Sequence, residues 1–266
     1  MKQILKLWIM RVLSFGKLFP DAMTDQAALK SLFKRLRPVR AARELIRLGP
    51  HGDGGYLVPN DLDGIEGCFS PGVSLVSGFE MDCANFGMKV FLADRSVDRP
   101  AELHERFHFT KKFVGVTTSD DFMTIDDWVA ASLPASREDL ILQIDIEGYE
   151  YESFLGMSDD LMRRFRIIVA EFHDIDHLWN LLFFRLASRT FDKILQTHKC
   201  VHIHPNNCLP PLIKDGISLP PMLEFTFLRN DRDFNPSYPN KFPHPLDFDN
   251  TNLPHIPLPK CWYVNN

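Results

Sequence analysis

Glycine is scarce where a loop that binds a dinucleotide would need it. The chain of 266 residues has 14 glycines and no full G-x-G-x-G run; only Gly72 and Gly78 follow the apolar segment Gly67–Gly72. The commonest glycine loop is therefore excluded. Cysteine is sparse and odd in number: Cys68, Cys83, Cys200, Cys208 and Cys261 form no CxxC pair and cannot all pair within one chain. That argues against a disulfide scaffold and for reduced thiols and a cytoplasmic setting. An excess of positive charge is also missing, with 30 Lys and Arg against 35 Asp and Glu. A nucleic-acid footprint is not expected, and a neutral, cationic or metal-bridged substrate fits better. Long apolar runs are lacking too. Residues 1–19 are apolar, but Lys6, Arg11 and Lys17 leave them too short and too charged to span a membrane. Lys2 and the apolar stretch after it have the look of a signal peptide, yet no small-x-small cleavage site follows. On a helical wheel Lys2, Lys6 and Lys17 share a side and Arg11 lies nearly opposite. A helix docked on the domain or on a partner chain is the preferred reading, with weak membrane-surface contact as the alternative.

What is present is apolar content enough, at 45%, for one large α/β domain. The chain is organised around residues 139–176. Leu140–Ile146 and Phe165–Ala170 are apolar runs that each end in a knot of acids, the pattern of buried parallel strands, and Tyr149–Arg164 has the helical pattern of a crossover. Ligands of an open parallel sheet bind beyond the carboxyl ends of its strands. Asp145, Glu147, Glu171, His173 and Asp174 should therefore share one crevice.

Taken in order, residues 25–37 read as a helix that Pro38 breaks, with 39–46 resuming it. His51–Pro59 is a glycine-rich turn running into an extended piece. Gly67–Gly72 is the first sheet strand and its turn, followed by a helix over 79–86; Lys89–Asp94 and Phe107–Thr117 are the next strands. Thr124 with Asp127 has the form of a capping box. A helix is expected over 191–197. In Cys200-Val-His202-Ile-His204 strict alternation puts Val201 and Ile203 on the core and Cys200, His202 and His204 on the other face. With Cys208 these imitate a zinc set, although ligands at every second position of one strand seldom close a tetrahedron. Residues 221–228 alternate as the last strand. Beyond Asp231 the chain is Pro-rich but too aromatic for a free tail, so an arm wrapping the core is expected.

Leu-Gln-Ile-Asp145-Ile-Glu147-Gly148-Tyr-Glu150, followed by Ala-Glu171-Phe-His173, closely resembles the FkbM-like family of S-adenosylmethionine-dependent methyltransferases. Asp53-Gly-Gly-Tyr56 before it and His202-x-His-x-Asn-Asn207 after it extend the resemblance over 48–229; for Asp53–Gly55 it implies backbone brought near the cofactor, which stands evenly beside the plain reading as a hairpin-like turn. It implies a Rossmann-like class I methyltransferase sheet, seven strands and mostly parallel with the last antiparallel, and helices on both faces. The divisions that go with it are a helical extension at 1–47, the methyltransferase domain at 48–230 and the arm at 231–266. It also implies the cofactor S-adenosylmethionine, bound at Gly72, Glu80, Asp94, Thr117 and Asp145, with Asp94 on the ribose and the loop 117–121 along the adenine edge. The acceptor would be a hydroxyl of a glycan or small molecule, contacted by Glu147, His204, Asn206 and Asn207. His173, Asp145 and Glu171 are the catalytic candidates: either His173 takes the hydroxyl proton, or Asp145 and Glu171 hold Mg²⁺. Two rivals stand beside this reading. Asp145-x-Glu147 with Asp174-x-Asp176 also fits a metal-dependent glycosyltransferase, and the degraded glycine loop fits a cofactor-binding module without turnover. Acceptor identity and oligomeric state are left open.

Overall fold

Two strands with no charge in their centres fix the middle of a sheet. The structure is a computed structural model and describes residues 2–15, 21–73 and 76–264. Its seven-stranded sheet consists of β1 (Ile65–Pro71), β2 (Lys89–Ala93), β3 (Phe107–Thr110), β4 (Asp139–Ile144), β5 (Phe165–Phe172), β6 (His198–Pro205) and β7 (Leu223–Arg229). Their order is β6-β7-β5-β4-β1-β2-β3. β1 to β5 are mutually parallel, and β7 lies antiparallel between β5 and β6. All eight residues of β5 are buried, as an unbroken apolar run requires when both sheet faces are covered.

The two faces carry separate cores. On one face pack α2 (Gln26–Leu36), α4 (Ile125–Ser132), α5 (Glu150–Gly156) and α7 (Leu181–Leu195), with Trp262 from the C-terminal segment fully buried against Phe33 and Phe225. The other face is covered by α3 (Gly78–Asn85) and by the hairpin of Leu45–Leu48 with Tyr56–Pro59. Strand order reverses between β1 and β4, the switch point at which a ligand crevice is expected.

At the opposite, amino-terminal ends of β4 and β5 the charges are matched. Asp139 accepts hydrogen bonds from Arg166 (2.7 Å) and Arg229 (2.6 and 3.0 Å), and Asp61 from Arg232 (2.7 and 2.8 Å). Arg166 also donates to the carbonyls of Asp61 and Asp63.

Several local expectations are corrected. Residues 39–46 do not resume a helix: Pro38 holds Arg37 extended, Arg40–Ala41 pairs with Phe234–Asn235, and Leu45–Leu48 enters the hairpin. The crossover is two short helices, because Met157 is extended and Ser158 caps α6 (Asp159–Met162). α7 starts ten residues before the expected 191 because the Asn180 side chain caps it, accepting from the N–H groups of Leu182 and Phe183. The third strand stops at Thr110, with a separate pair at Phe113–Val114 and Phe122–Met123. A bulge between Cys200 and His202 breaks the alternation of β6, so Val201 and Ile203 enter opposite cores. Thr124 caps α4 as expected, but Asp127 answers to Thr118.

The N-terminal helix α1 spans Lys2–Phe15 and exposes Ile4, Leu5, Trp8, Ile9 and Val12 rather than packing them. The wheel of Lys2, Lys6 and Lys17 falls on side chains outside the described residues. Among the described residues no helix is long and apolar enough to cross a membrane.

Candidate active site

The ends of β1 and β4 touch through a glycine. Gly72 has φ +92°, and a Cβ placed on it would lie 1.6 Å from the Asp145 carbonyl oxygen. A side chain here would stand in the way of a ligand approaching the strand ends. The closer obstacle is the protein's own backbone, so Gly72 is needed for Asp145 to reach its place. After Asp145 the chain turns through Glu147 (φ +56°) and Gly148 (φ +98°). This left-handed, strained turn is held by the fully buried Glu150, whose carboxylate accepts the N–H groups of Ile146 (2.9 Å) and Gly148 (3.1 Å).

Two cavities open on either side of this turn. The first has a volume of about 560 Å³ and is lined by Gly72, Glu80, Asp94 and Asp145 of the expected donor set. Asp94 follows β2 and is fixed by Ser96, which donates to it from N and Oγ at 2.6 Å. Glu80 lies against the buried Ser70 hydroxyl, which is 2.6 Å from Gln143 Oε1; burial pushes the Glu80 pKa up. Phe113, Val114 and Phe122 are among the apolar residues of the lining. Thr117 is exposed and is not in the lining; the ladder at 113–114 and 122–123 holds this wall, and the loop carrying Thr117 bulges outward from it.

The second cavity, about 490 Å³, brings together Asp145, Glu147, Glu171, His173, Asp174 and Asn206. His173 lies inside a cage of carboxylates. Its Nε2 is 3.4 Å from Glu147 and 3.9 Å from Asp145, and its Nδ1 is 3.3 Å from Glu150 Oε1, off the line of a hydrogen bond but close enough for charge to act. The Tyr151 hydroxyl donates to the His173 carbonyl at 2.6 Å and fixes the backbone. Burial alone would lower the His173 pKa; contact with Glu150 and the charges of Asp145 and Glu147 outweigh it and raise the pKa above 6.5. Asp145 is pushed up to about 7, by burial first and by Glu150, Glu147 and Asp53 against the opposing His173. Glu171 is raised by burial and by the charges of Asp145 and Glu224. A buried Asp145 Oδ1 without a hydrogen-bond partner completes a set of groups short of positive charge.

Of the other expected acceptor residues, only Asn206 reaches the cavity, donating to Glu171 Oε1 at 2.9 Å. Asn207 is turned away: its side chain bonds Thr251 and Leu253 and so holds the C-terminal segment. His204 is buried 3.7 Å from Asp247 and lines neither cavity. The zinc set is not gathered either, since His202 pairs with Asp247 at 2.8 Å and Cys200 faces the other core. Among the described residues, Asp145, Glu147 and His173 form one group whose ligand atoms lie close enough to share a metal ion, and Asp174, Asp176 and His177 form a second; Glu171 is in neither.

For two residues the sequence points to no side-chain role. Glu150 stands in the Asp-x-Glu-Gly-x-Glu block and at the start of the crossover helix, with nothing local to show that it holds the turn. The Asp53 turn reads evenly as plain turn geometry or as backbone brought near the cofactor, and in the structure the Asp53 side chain lines both cavities.

Residues 82–199 match the family model of the methyltransferase FkbM domain. Over that segment the chain is similar to an FkbM methyltransferase domain. The sheet order with β7 antiparallel and the crevice at the β1/β4 switch point agree with that match. No curated protein matches the chain. Among solved structures, similarity extends to a protein of Anabaena variabilis ATCC 29413 named for a methyltransferase role in an antibiotic biosynthesis pathway, at 16% identity and a TM-score of 0.29, covering 55% of this chain and 60% of that one. A second is EvdMO1, at 13% identity and a TM-score of 0.32, covering 79% of this chain and 48% of that one. The chain thus spans about half the length of these structures. The match favours a methyltransferase over the glycosyltransferase reading of Asp145-x-Glu147.

Proposed function

We propose that the FkbM domain uses S-adenosylmethionine to methylate a hydroxyl of a sugar, glycan or related small molecule. The observation that carries this is the pair of cavities meeting at Asp145, with an aromatic and acidic chamber on one side and His173 on the other. The first chamber suits the donor. Asp94 offers a carboxylate for ribose hydroxyls, Glu80 and Asp145 for a charged amino group, and Phe113, Val114 and Phe122 an apolar surface for adenine. When bound, the donor supplies a methyl carbon on a positively charged sulfur.

The protein's own work is to place the acceptor and remove its proton. A hydroxyl hydrogen is held far too tightly to leave at neutral pH unaided, and His173 at the second cavity is the base that takes it. A ring nitrogen of His173 would take the hydroxyl proton as the acceptor oxygen receives the methyl group that a bound donor supplies. Glu150 holds the imidazole and stabilises the cation that forms. A second reading is favoured by the grouping of Asp145, Glu147 and His173, which would suit a divalent ion. One imidazole with two carboxylates fits Mn²⁺ or Zn²⁺ better than the all-oxygen preference of Mg²⁺. Such an ion would polarise an acceptor oxygen.

Calorimetry with S-adenosylhomocysteine tests the donor side. The intact chain should bind it, and Asp94→Ala should weaken binding by about tenfold, the loss of one charged hydrogen-bonding group. Unchanged affinity in Asp94→Ala removes the ribose assignment. Transfer of a labelled methyl group to a panel of sugars then tests the acceptor class.

A further inference from the structure

The residues that complete the site come from outside the matched segment 82–199, one from each side of it. Three side chains line both cavities: Asp53, Asp145 and Glu147. A methyl group passing from donor to acceptor must cross this shared wall, so the reacting sulfur lies against it. Asp145 is pushed towards its neutral form, and Glu147 leans on His173. Asp53 enters from a different direction, on the turn between the strands of the hairpin.

That turn does not hold itself. Arg47 donates to the carbonyls of Pro50 (2.6 Å) and Gly52 (2.8 Å) from within the hairpin and reaches the Leu246 carbonyl (3.3 Å). Phe248 stacks on His51 with centroids 4.1 Å apart and planes 7° apart. Asn250 Nδ2 donates to Glu224 Oε1 (2.7 Å) and to Asp53 Oδ1 (3.2 Å). The segment carrying Leu246, Phe248 and Asn250 is pinned to the sheet by Asp247 on His202 and by Thr251 and Leu253 on Asn207. A flexible glycine turn is thereby given one position, set by a segment nearly two hundred residues away.

We propose that Asp53 touches the donor, its carboxylate facing the positive sulfur at the shared wall, and that Asn250 is its positioning residue. This rests on the S-adenosylmethionine reading above. Charge separates the donor from its product: S-adenosylmethionine has a sulfonium and S-adenosylhomocysteine a neutral thioether. A carboxylate near sulfur favours the first, whereas a purely structural residue favours neither.

The test is calorimetry of the full chain with both nucleosides. Asp53→Asn keeps the shape and removes the charge; it should lower affinity for S-adenosylmethionine relative to S-adenosylhomocysteine by about tenfold. Asn250→Ala should move the same ratio by about threefold. The double variant should go no further than Asp53→Asn, because one acts through the other. Thr251→Val, which loses a bond to Asn207 without touching the turn, should leave the ratio at the wild-type value. An unchanged ratio in Asp53→Asn overturns the proposal; Asp53 is exposed, so this variant does not depend on a buried contact to fold. Wild-type chain that binds neither nucleoside overturns the donor reading and this inference with it. Binding of both with an unmoved ratio overturns this inference alone.

Discussion

β4 begins at an aspartate and ends just before another, and the two behave oppositely. Burial raises the pKa of Asp139, but Arg229 and Arg166 more than compensate and hold it below the usual carboxylate value. Asp145, one residue past the strand, is raised to about 7 because burial there is joined by Glu150, Glu147 and Asp53 and opposed only by His173. The difference lies in the company each keeps. At one end of the sheet guanidinium groups match Asp61, Asp139 and Asp231; at the other, acids are crowded together with one imidazole, a condition that costs stability and persists where a ligand brings the missing charge. One end holds the fold, and the other is built for chemistry.

That contrast can be broken at its stable end first. Arg166→Met should lower the free energy of unfolding by about 3 kcal/mol, because it removes a buried guanidinium and takes one of two arginine partners from each of the half-buried Asp139 and Asp61. Urea denaturation measures it, and donor affinity per folded molecule should not change. A loss of donor binding without loss of stability would mean that the two ends are not separate. At the other end, His173→Ala should reduce methyl transfer by about a hundredfold, or about 2.7 kcal/mol, with donor affinity unchanged. If an ion held by Asp145, Glu147 and His173 activates the acceptor, EDTA abolishes activity and Mn²⁺ restores it. Full activity in His173→Ala together with indifference to EDTA defeats both versions.

The smallest effect is on stability against pH. Asp145 is raised from 3.8 to about 7 on folding, so between these values the native state binds more protons than the unfolded one. Its stabilising contribution is complete below pH 3.8 and is lost as pH rises through 7. The raised His173 and Glu171 act in the same direction. His198, lowered from 6.5 to about 4 by burial, acts in the opposite direction, but its contribution is already complete above pH 6.5. Between pH 6.5 and 8 the ligand-free protein should therefore lose about 1 kcal/mol that Asp145→Asn does not lose. Parallel melting curves for the two proteins across that window would show that Asp145 is ionised throughout.

How far the sequence could be read follows from how each feature is encoded. β4, β5 and the Asp145–His173 crevice were legible because buried parallel strands write themselves as short apolar runs that stop at charge. Asp94 was legible for the same reason. Gly72 was picked out, but its reason, contact with the Asp145 carbonyl, belongs to a packing of two strand ends that no local pattern records. Asn207 and His204 sit beside Asn206 in sequence yet face the C-terminal segment, because their partners Thr251 and Asp247 lie more than forty residues on. Asp53 was hidden by the same kind of distance, its partner Asn250 being 197 residues away. The bulge at Cys200–His202 shows a different limit: one extra residue reverses which side chains face which core, and alternation alone cannot register it.

The place of β1 has a practical consequence for anyone who would isolate the FkbM segment. The match begins at residue 82, but β1 ends at Pro71 and lies between β2 and β4. A fragment trimmed to the match would lose this inner slat as well as β6 and β7 at one edge. β2 and β4 would then face each other across a gap, β5 would lose its neighbour as well, and a second fragment could insert a strand at the unpaired N–H and C=O groups. Such a fragment should associate with itself on expression, and its failure to stay monomeric would say nothing about the intact chain.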